Sequence, residues 1–380
     1  MVLGLVSPLP PQMGGVVSVA DWLLRHQEEI GCRYEVFDLF RPAEDEMGGK
    51  LRASSIPRQI RLLARFVRWL PSSPRVVHAC VSCSPIGLAR DLLYLALLRL
   101  AGRTAVAHIH GSQLDLVEGS RLRSLSLRLV GRLTAERVAV APWAVSMLAR
   151  VGVSSRCILN PIRIEPEQVN GTPPSSPGLR LLFVGYYGER KGCPELVRAL
   201  ARAREAGVDA SLQFVGREER RGEERLLKEL VRQHALEDVV DFPGFVPAEQ
   251  LEHYYLTSDV ICLPSAREIL PMALLEGMAF ELPALATPVG GITELVVDGE
   301  TGVLVTPGRI DELATAIVDL AADPERRRRM GKAARARVLE RAGSERLSAQ
   351  WRTLYRELGA PAPHARPTRR RAREQRPLRA

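Results

Sequence analysis

The sequence predicts an α/β protein made of two doubly wound domains, each built on a parallel sheet. Three observations predict it. Short, near-continuous apolar runs alternate with longer helical patterns along the body, the pattern of parallel strands covered on both faces. The rhythm runs through twice, with a Pro/Gly/Ser-rich stretch between, "NPIRIEPEQVNGTPPSSPG" at 160–178. The chain of 380 residues is long enough for two domains of ordinary size.

In the first half the strand-like runs are "VLGLVS", "YEVFDL", "RVVHAC", "TAVAHIH", "RVAVAP" and "RCILN". Helical patterns such as "GVVSVADWLLRHQEE" and "SRLRSLSLRLVGRL" lie between them. The second half repeats this with "LRLLFVG", "SLQFVG", "VVDFPG", "VICLPS", "PALAT" and "TGVLV". The expected division is 1–160 for the first domain, 161–178 for the linker and 179–342 for the second domain. A helix at 343–358 places Leu347, Trp351, Leu354, Tyr355 and Leu358 on one face, which must dock on something. The Pro/Arg-rich segment 359–380 lacks the apolar residues for a core and is expected to be a disordered basic tail.

Composition narrows the class. Apolar content of 46% and charged content of 26% are those of a soluble globular protein. Of the net charge of +9, the segment "HARPTRRRAREQRPLRA" carries +6. Such a segment can hold a phosphate backbone, but it has no interleaved aromatics for stacking, and no nucleic-acid partner is expected. Six scattered cysteines, including the single "CVSC" pair Cys80 and Cys83, read as buried, reduced thiols, which fits a cytosolic setting. The N-terminus lacks the pattern of a signal peptide, and the longest apolar stretch is too short to span a bilayer.

Chemistry concentrates where strands end, because ligands of such sheets bind beyond their carboxyl ends. After "VICLPS" comes "EILPMALLE", with Glu268 and Glu276 eight residues apart. Proline is favoured in a first helical turn, so the helix is expected to begin near Leu270. Its unpaired N–H groups, with those of Ile269 and Leu270, offer an anion site between two carboxylates. Each carboxylate can hold a pair of hydroxyls, and diol, phosphate, diol is the shape of a sugar nucleotide. Two solvated glutamates on a surface helix would leave the same nine letters.

Other strand ends add candidates. Gly14 and Gly15, after the first strand, let backbone approach a ligand at a helix start, although an ordinary turn would also place glycine there. His108 and His110 alternate in "HIHGS" and point the same way; one reads as a core histidine, and His110, at the strand's end, is the better site candidate. In "VGYYGERKG", Arg190 and Lys191 stand where a cation can neutralise a diphosphate leaving group, or else form a solvated charge pair. Gly290 and Gly291 mark one more strand-to-helix turn. No D-x-D pair and no His/carboxylate cluster with metal-ligand spacing occurs, so helix ends and cations are expected to meet phosphate charge with no metal. No G-x-G-x-x-G follows the first strand, which argues against a nicotinamide or flavin enzyme.

Together these residues resemble the retaining glycosyltransferases of family 4, from about residue 2 to about residue 358. The most specific part is "SDVICLPSAREILPMALLEGMAFELPALATPVGGITELVVDGETGVLV". The resemblance implies the GT-B fold, two Rossmann-like domains facing across a cleft. It implies a metal-independent transfer of sugar from a UDP or GDP donor, with no further cofactor, to a glycan or lipid-linked acceptor. Surface polysaccharide or glycolipid assembly is the implied setting. In that reading Glu268 meets the donor sugar, with N–H groups around Ile269 and Leu270 beside it. Glu276 holds the ribose, Lys191 the diphosphate, Gly15 approaches the phosphates and His110 lies near the reacting carbon. The helix at 343–358 crosses back onto the first domain.

Three positions depart from the family pattern. Tyr186 stands where arginine is usual, leaving Arg190 as the residue to replace it. Ile269 stands where glycine is common. Glu281 stands where a small residue, usually glycine, precedes "LP". Alternatives are another GT-B enzyme such as a nucleotide-sugar epimerase, or a non-catalytic polyanion-binding protein acting through its arginine tail. "IPRQIRLLARFVRWLP", with Arg58, Arg61, Arg65 and Arg68, and the basic "SRLRSLSLRLVGRL" read either as helices lying on an anionic membrane or as core-facing helices with solvated basic faces. The expected location is the cytoplasm, with peripheral contact at the inner face of the cell membrane.

Overall fold

The computed structural model describes residues 1–10, 14–39, 56–111, 114, 119–164 and 178–359. The basic tail, most of the interdomain linker and the polar loop "EDE" at 44–46 lie outside the described residues.

Twelve strands form two six-stranded parallel sheets. The first holds β1 (Val2–Ser7), β2 (Arg33–Asp38), β3 (Val76–Ser82), β4 (Thr104–His110), β5 (Glu136–Ala139) and β6 (Arg156–Cys157), in the order β2-β1-β3-β4-β5-β6. The second holds β7 (Leu179–Tyr187), β8 (Ala210–Glu218), β9 (Val240–Gly244), β10 (Val260–Leu263), β11 (Ala284–Ala286) and β12 (Gly302–Leu304), in the order β12-β11-β10-β7-β8-β9. Every apolar run read as a strand is one. The reason is burial on both faces: β3 and β10 have no exposed position.

Each order reverses direction once. In the first lobe the switch lies between β1 and β3, and in the second between β10 and β7. Chains leave a switch point toward opposite faces of the sheet, which opens a crevice at the carboxyl ends. Gly14 and Gly15 follow β1, Lys191 follows β7 and Glu268 follows β10, so all four belong to switch-point loops.

The carboxyl ends of the two sheets approach one another. A Cβ built on Gly15 would lie 4.0 Å from Met272 Cγ, and one on Gly291 3.1 Å from Ala141 Cβ. The Asn160 side-chain amide donates to the Leu270 carbonyl at 3.0 Å. The helix Pro324–Ala342 packs on the helix Met272–Ala279, then leads to the helix Ser344–Glu357. That last helix buries Leu347, Trp351, Leu354 and Tyr355, and Trp22 Nε1 of the first lobe donates to Ser344 Oγ at 3.3 Å.

Candidate active site

The loop between β10 and the helix Met272–Ala279 carries the two glutamates. The helix starts two residues later than its sequence suggests. Pro271 is its N-cap, with extended backbone (φ −75°, ψ 122°), instead of lying in the first turn. Proline satisfies both positions, since it needs no N–H partner at either. Ile269 and Leu270 are buried in the loop, and Ile269 needs no left-handed backbone, so a β-branched side chain fits where glycine is common.

Close-packed backbone fixes this loop. A Cβ on Gly290 would fall 1.7 Å from the Glu268 carbonyl oxygen, and one on Gly291 2.0 Å from that of Ile269. Neither position has room for a side chain. From the other side, the Ala266 N–H donates to the Arg190 carbonyl at 2.9 Å, and Arg190 Nη1 donates to the Arg267 carbonyl at 3.2 Å.

Lys191 and Glu268 meet. Lys191 Nζ donates to Glu268 Oε1 in a tight ion pair, and Ser265 Oγ donates to the same oxygen at 3.2 Å. Both side chains are largely buried, at 14% and 8% exposure. A cation and an anion are thus held together at the mouth of the second sheet, beside a helix N-terminus. Arg190 lies next to this pair, close enough for the Glu268 carboxylate to favour its charged form, but it makes its ion pair elsewhere. Its guanidinium pairs with Glu219 at 2.9 Å as well as with the Arg267 carbonyl, so it braces two loops. Tyr186 is covered instead by Arg217, whose guanidinium carbon lies 5.2 Å from the ring centroid and whose Nη2 donates to the hydroxyl at 2.9 Å.

Glu276 lies deeper, at 1% exposure. Its Oε2 accepts from Tyr255 OH at 2.8 Å and from Arg163 Nη2 at 3.2 Å. Arg163 Nε stands 3.1 Å from Oε1, yet that geometry makes no hydrogen bond, and Oε1 is a buried acceptor without a donor. Asn160 Oδ1 and His110 Nε2 are in the same condition. Buried polar atoms are normally paired, and these three have no partner among the described residues.

His110 ends β4 at 5% exposure, and burial pushes its pKa down to about 3. It is therefore a neutral imidazole. His108 is the core histidine of the pair, with its ring 4.0 Å from His110 and its Nδ1 3.1 Å from His78 Nε2. His78, Cys80 and His108 bring their ligand atoms within 4.8 Å of one another, a grouping across two strands that linear spacing does not reveal. His78 and His108 share one hydrogen bond within this group, and His108 Nε2 has no partner among the described residues.

Gly14 has a φ of +122°, a conformation that favours glycine on backbone grounds. Gly15 does not, and a Cβ there would meet only Met272 at ordinary contact distance. Packing therefore gives no reason for glycine at 15. The six cysteines are free, and burial raises the Cys80 and Cys83 thiols to about 12, which removes the "CVSC" pair as a nucleophile.

Asn160, Arg163 and Tyr255 reach the site without a signal in the sequence, whereas Ser265 closes the run "VICLPS" three residues before Glu268. Two lie in or beside the linker, one on a distant helix, and Arg163 is one arginine among many.

Residues 166–337 match the family described as glycosyl transferases group 1. That match takes in most of the second lobe. The chain is 31% identical over 179 residues to an alpha-D-kanosaminyltransferase of Streptomyces kanamyceticus, covering 47% of this chain and 46% of that protein. It is 35% identical over 160 residues to a D-inositol 3-phosphate glycosyltransferase of Kribbella flavida, covering 40% and 38%. The chain thus spans less than half the length of these curated relatives. Over nearly its whole length it superposes on Anabaena Alr3699/HepE, solved in complex with UDP-glucose, with a TM-score of 0.76, 18% identity and coverage of 94% and 100%. The fold is GT-B. The matched region contains Lys191, Glu268 and Glu276 together.

Proposed function

We propose that the protein is a retaining glycosyltransferase that moves a sugar from a nucleoside diphosphate donor to a hydroxyl of a glycan or lipid-linked acceptor. The observation that carries this reading is the Lys191–Glu268 ion pair at the switch point of the second sheet. A nucleotide sugar presents a diphosphate to the lysine and helix N-terminus and hydroxyls to the carboxylate. Binding then exchanges one ion pair for two matched contacts.

The roles in this reading are those the family resemblance implies. Glu276 Oε1 accepts from the ribose of a UDP or GDP donor. Lys191 and the N–H groups near Ile269 and Leu270 stabilise charge on the departing diphosphate. Gly15 lets backbone reach the phosphates, and Gly14 shapes that turn. Glu268 holds the donor sugar, and His110 offers Nε2 beside the reacting carbon. In this reading charge is met by lysine and peptide dipoles, and no metal or cofactor is called on. As the sugar–phosphate bond breaks, the acceptor hydroxyl attacks from the same face, so configuration is kept.

The first lobe supports an acceptor at a membrane surface. The crossovers after β2, β3 and β4 all run in one direction, which puts their helices on one face. That face exposes Ile60, Leu100, Leu122 and Leu125 among arginines, at 62%, 84%, 74% and 51%. Apolar side chains ringed by cations suit anionic lipid. Surface polysaccharide or glycolipid assembly, with the protein at the cytoplasmic face, fits this arrangement. Among the described residues no helix is long and apolar enough to cross a membrane.

Incubation with a panel of sugar nucleotides, followed by mass spectrometry and by NMR of the first-formed product, tests the proposal. Transfer with retained anomeric configuration is expected. Isomerised donor with no acceptor, or an inverted product, contradicts it.

A further inference from the structure

Three buried imidazoles stand side by side on the inner face of the first sheet: His78 on β3, His108 and His110 on β4. A chain of hydrogen bonds runs through two of them into the C-terminal helix. His108 Nδ1 lies 3.1 Å from His78 Nε2, His78 Nδ1 lies 2.6 Å from Tyr355 OH, and Tyr355 OH lies 3.0 Å from Tyr34 OH. Trp351, one turn before Tyr355, covers the His78 and His108 rings at 4.8 and 5.0 Å. No part of the transfer described above uses this chain.

A neutral imidazole has one N–H and one acceptor nitrogen, so such a chain has only two senses. Burial holds all three histidines neutral, His78 at about 3 and His108 well below its ordinary value. In one sense Tyr355 donates to His78 Nδ1, His78 Nε2–H donates to His108 Nδ1, and His108 carries its proton on Nε2. In the other sense every donor reverses and His108 Nε2 is bare. The Tyr355 hydroxyl thus selects the His108 tautomer. His110 rests on that ring at 4.0 Å, and the Nε2 atoms of both histidines are buried without partners. The direction of the His108 dipole is therefore felt by His110 in a water-poor setting.

The far end of the link lies in the second lobe. The helix Ser344–Glu357 follows the helix Pro324–Ala342, which touches the donor-side helix closely. A Cβ on Gly331 would fall 1.9 Å from the Glu281 carbonyl oxygen, and Arg335 Nη1 donates to the Ala279 carbonyl. We propose that Tyr355 is a positioning residue: through His78 it fixes the tautomer of His108 and the orientation of His110, and so ties the histidine of one lobe to the helix pair braced on the other. The assignment of a role in turnover rests on the reading of His110 given above.

The test uses full-length protein labelled with ¹⁵N in the imidazoles. Long-range ¹⁵N–¹H correlations report each tautomer without any donor present. The wild type is expected to show one defined tautomer at His108. Tyr355→Phe, which keeps the ring and removes the hydroxyl, is expected to shift or mix it. Donor affinity by calorimetry should change less than about twofold, while kcat falls about tenfold or more. Tyr34→Phe, one bond further out, should shift kcat less than about threefold. A wild-type His108 that already averages both tautomers, or a Tyr355→Phe protein with unchanged tautomer and kcat, overturns the proposal. His110→Ala separates the two readings: if it turns over at the wild-type rate, the role of His110 fails, whatever the tautomer spectra show.

Discussion

The two sides of the cleft hold their polar groups in opposite ways. In the second lobe the groups are charged and paired: Lys191 with Glu268, and Glu276 with Arg163 of the linker. In the first they are neutral and joined by aromatic contact, with His110 on His108 and His108 beside Trp351. The lobe that pairs charges is suited to a diphosphate, whose charge must be matched. The lobe that keeps imidazoles neutral is suited to hydroxyls, which need a donor or an acceptor without a competing ion.

Removing one charge should break this comparison most severely. Lys191→Ala leaves Glu268 largely buried without its cation and the leaving group without its counter-charge. Turnover with the best donor should fall by about 10²–10³-fold, about 3–4 kcal/mol, the scale of one lost transition-state donor. Steady-state kinetics with and without the substitution measures it. A loss below about threefold would place the diphosphate elsewhere.

Acid should expose the neutral side. In the folded chain His78 and His110 titrate at about 3, while an unfolded histidine titrates near 6.5. Between those values the unfolded chain binds protons that the fold does not, so stability falls as pH falls through that window. With His108 included, unfolding should take up close to three extra protons near pH 5. Denaturant midpoints from pH 7 to pH 4 measure this; a flat profile would mean that the imidazoles are solvated.

Gly15 sharpens the comparison at smaller scale. Because a Cβ there meets only ordinary contact, Gly15→Ala should leave the melting temperature within about 2 °C and weaken donor binding about tenfold, as read by calorimetry. The smallest effect belongs to Glu281, which holds a left-handed φ of +63°. Glu281→Gly removes that strain and should stabilise the fold by about 0.5–1 kcal/mol in urea, with turnover unchanged.

Much of this was legible in the sequence, for identifiable reasons. A buried parallel strand must be apolar nearly throughout, so the runs from "VLGLVS" to "TGVLV" mark all twelve strands. The helix start after Pro271 was legible only to within two residues, since proline suits both the cap and the first turn. Glu281 stood out because its position calls for glycine, and its backbone is indeed left-handed. Through-space partners left no trace. Nothing local in the sequence joins His78 to Tyr355, Arg163 to Glu276 or Asn160 to Leu270, because each pair is made by the meeting of distant segments. The partner of Arg190 was invisible for the same reason: Glu219 comes from another strand's loop.

The most direct test is a crystal structure of the protein soaked with a nucleoside diphosphate sugar. The account predicts diphosphate density between Gly15 and the N-terminus of the helix Met272–Ala279, within hydrogen-bonding distance of Lys191 Nζ. It also predicts sugar hydroxyls on Glu268 and ribose on Glu276 Oε1. Density elsewhere, with Lys191 still closed on Glu268 and Arg163 still closed on Glu276, would contradict it.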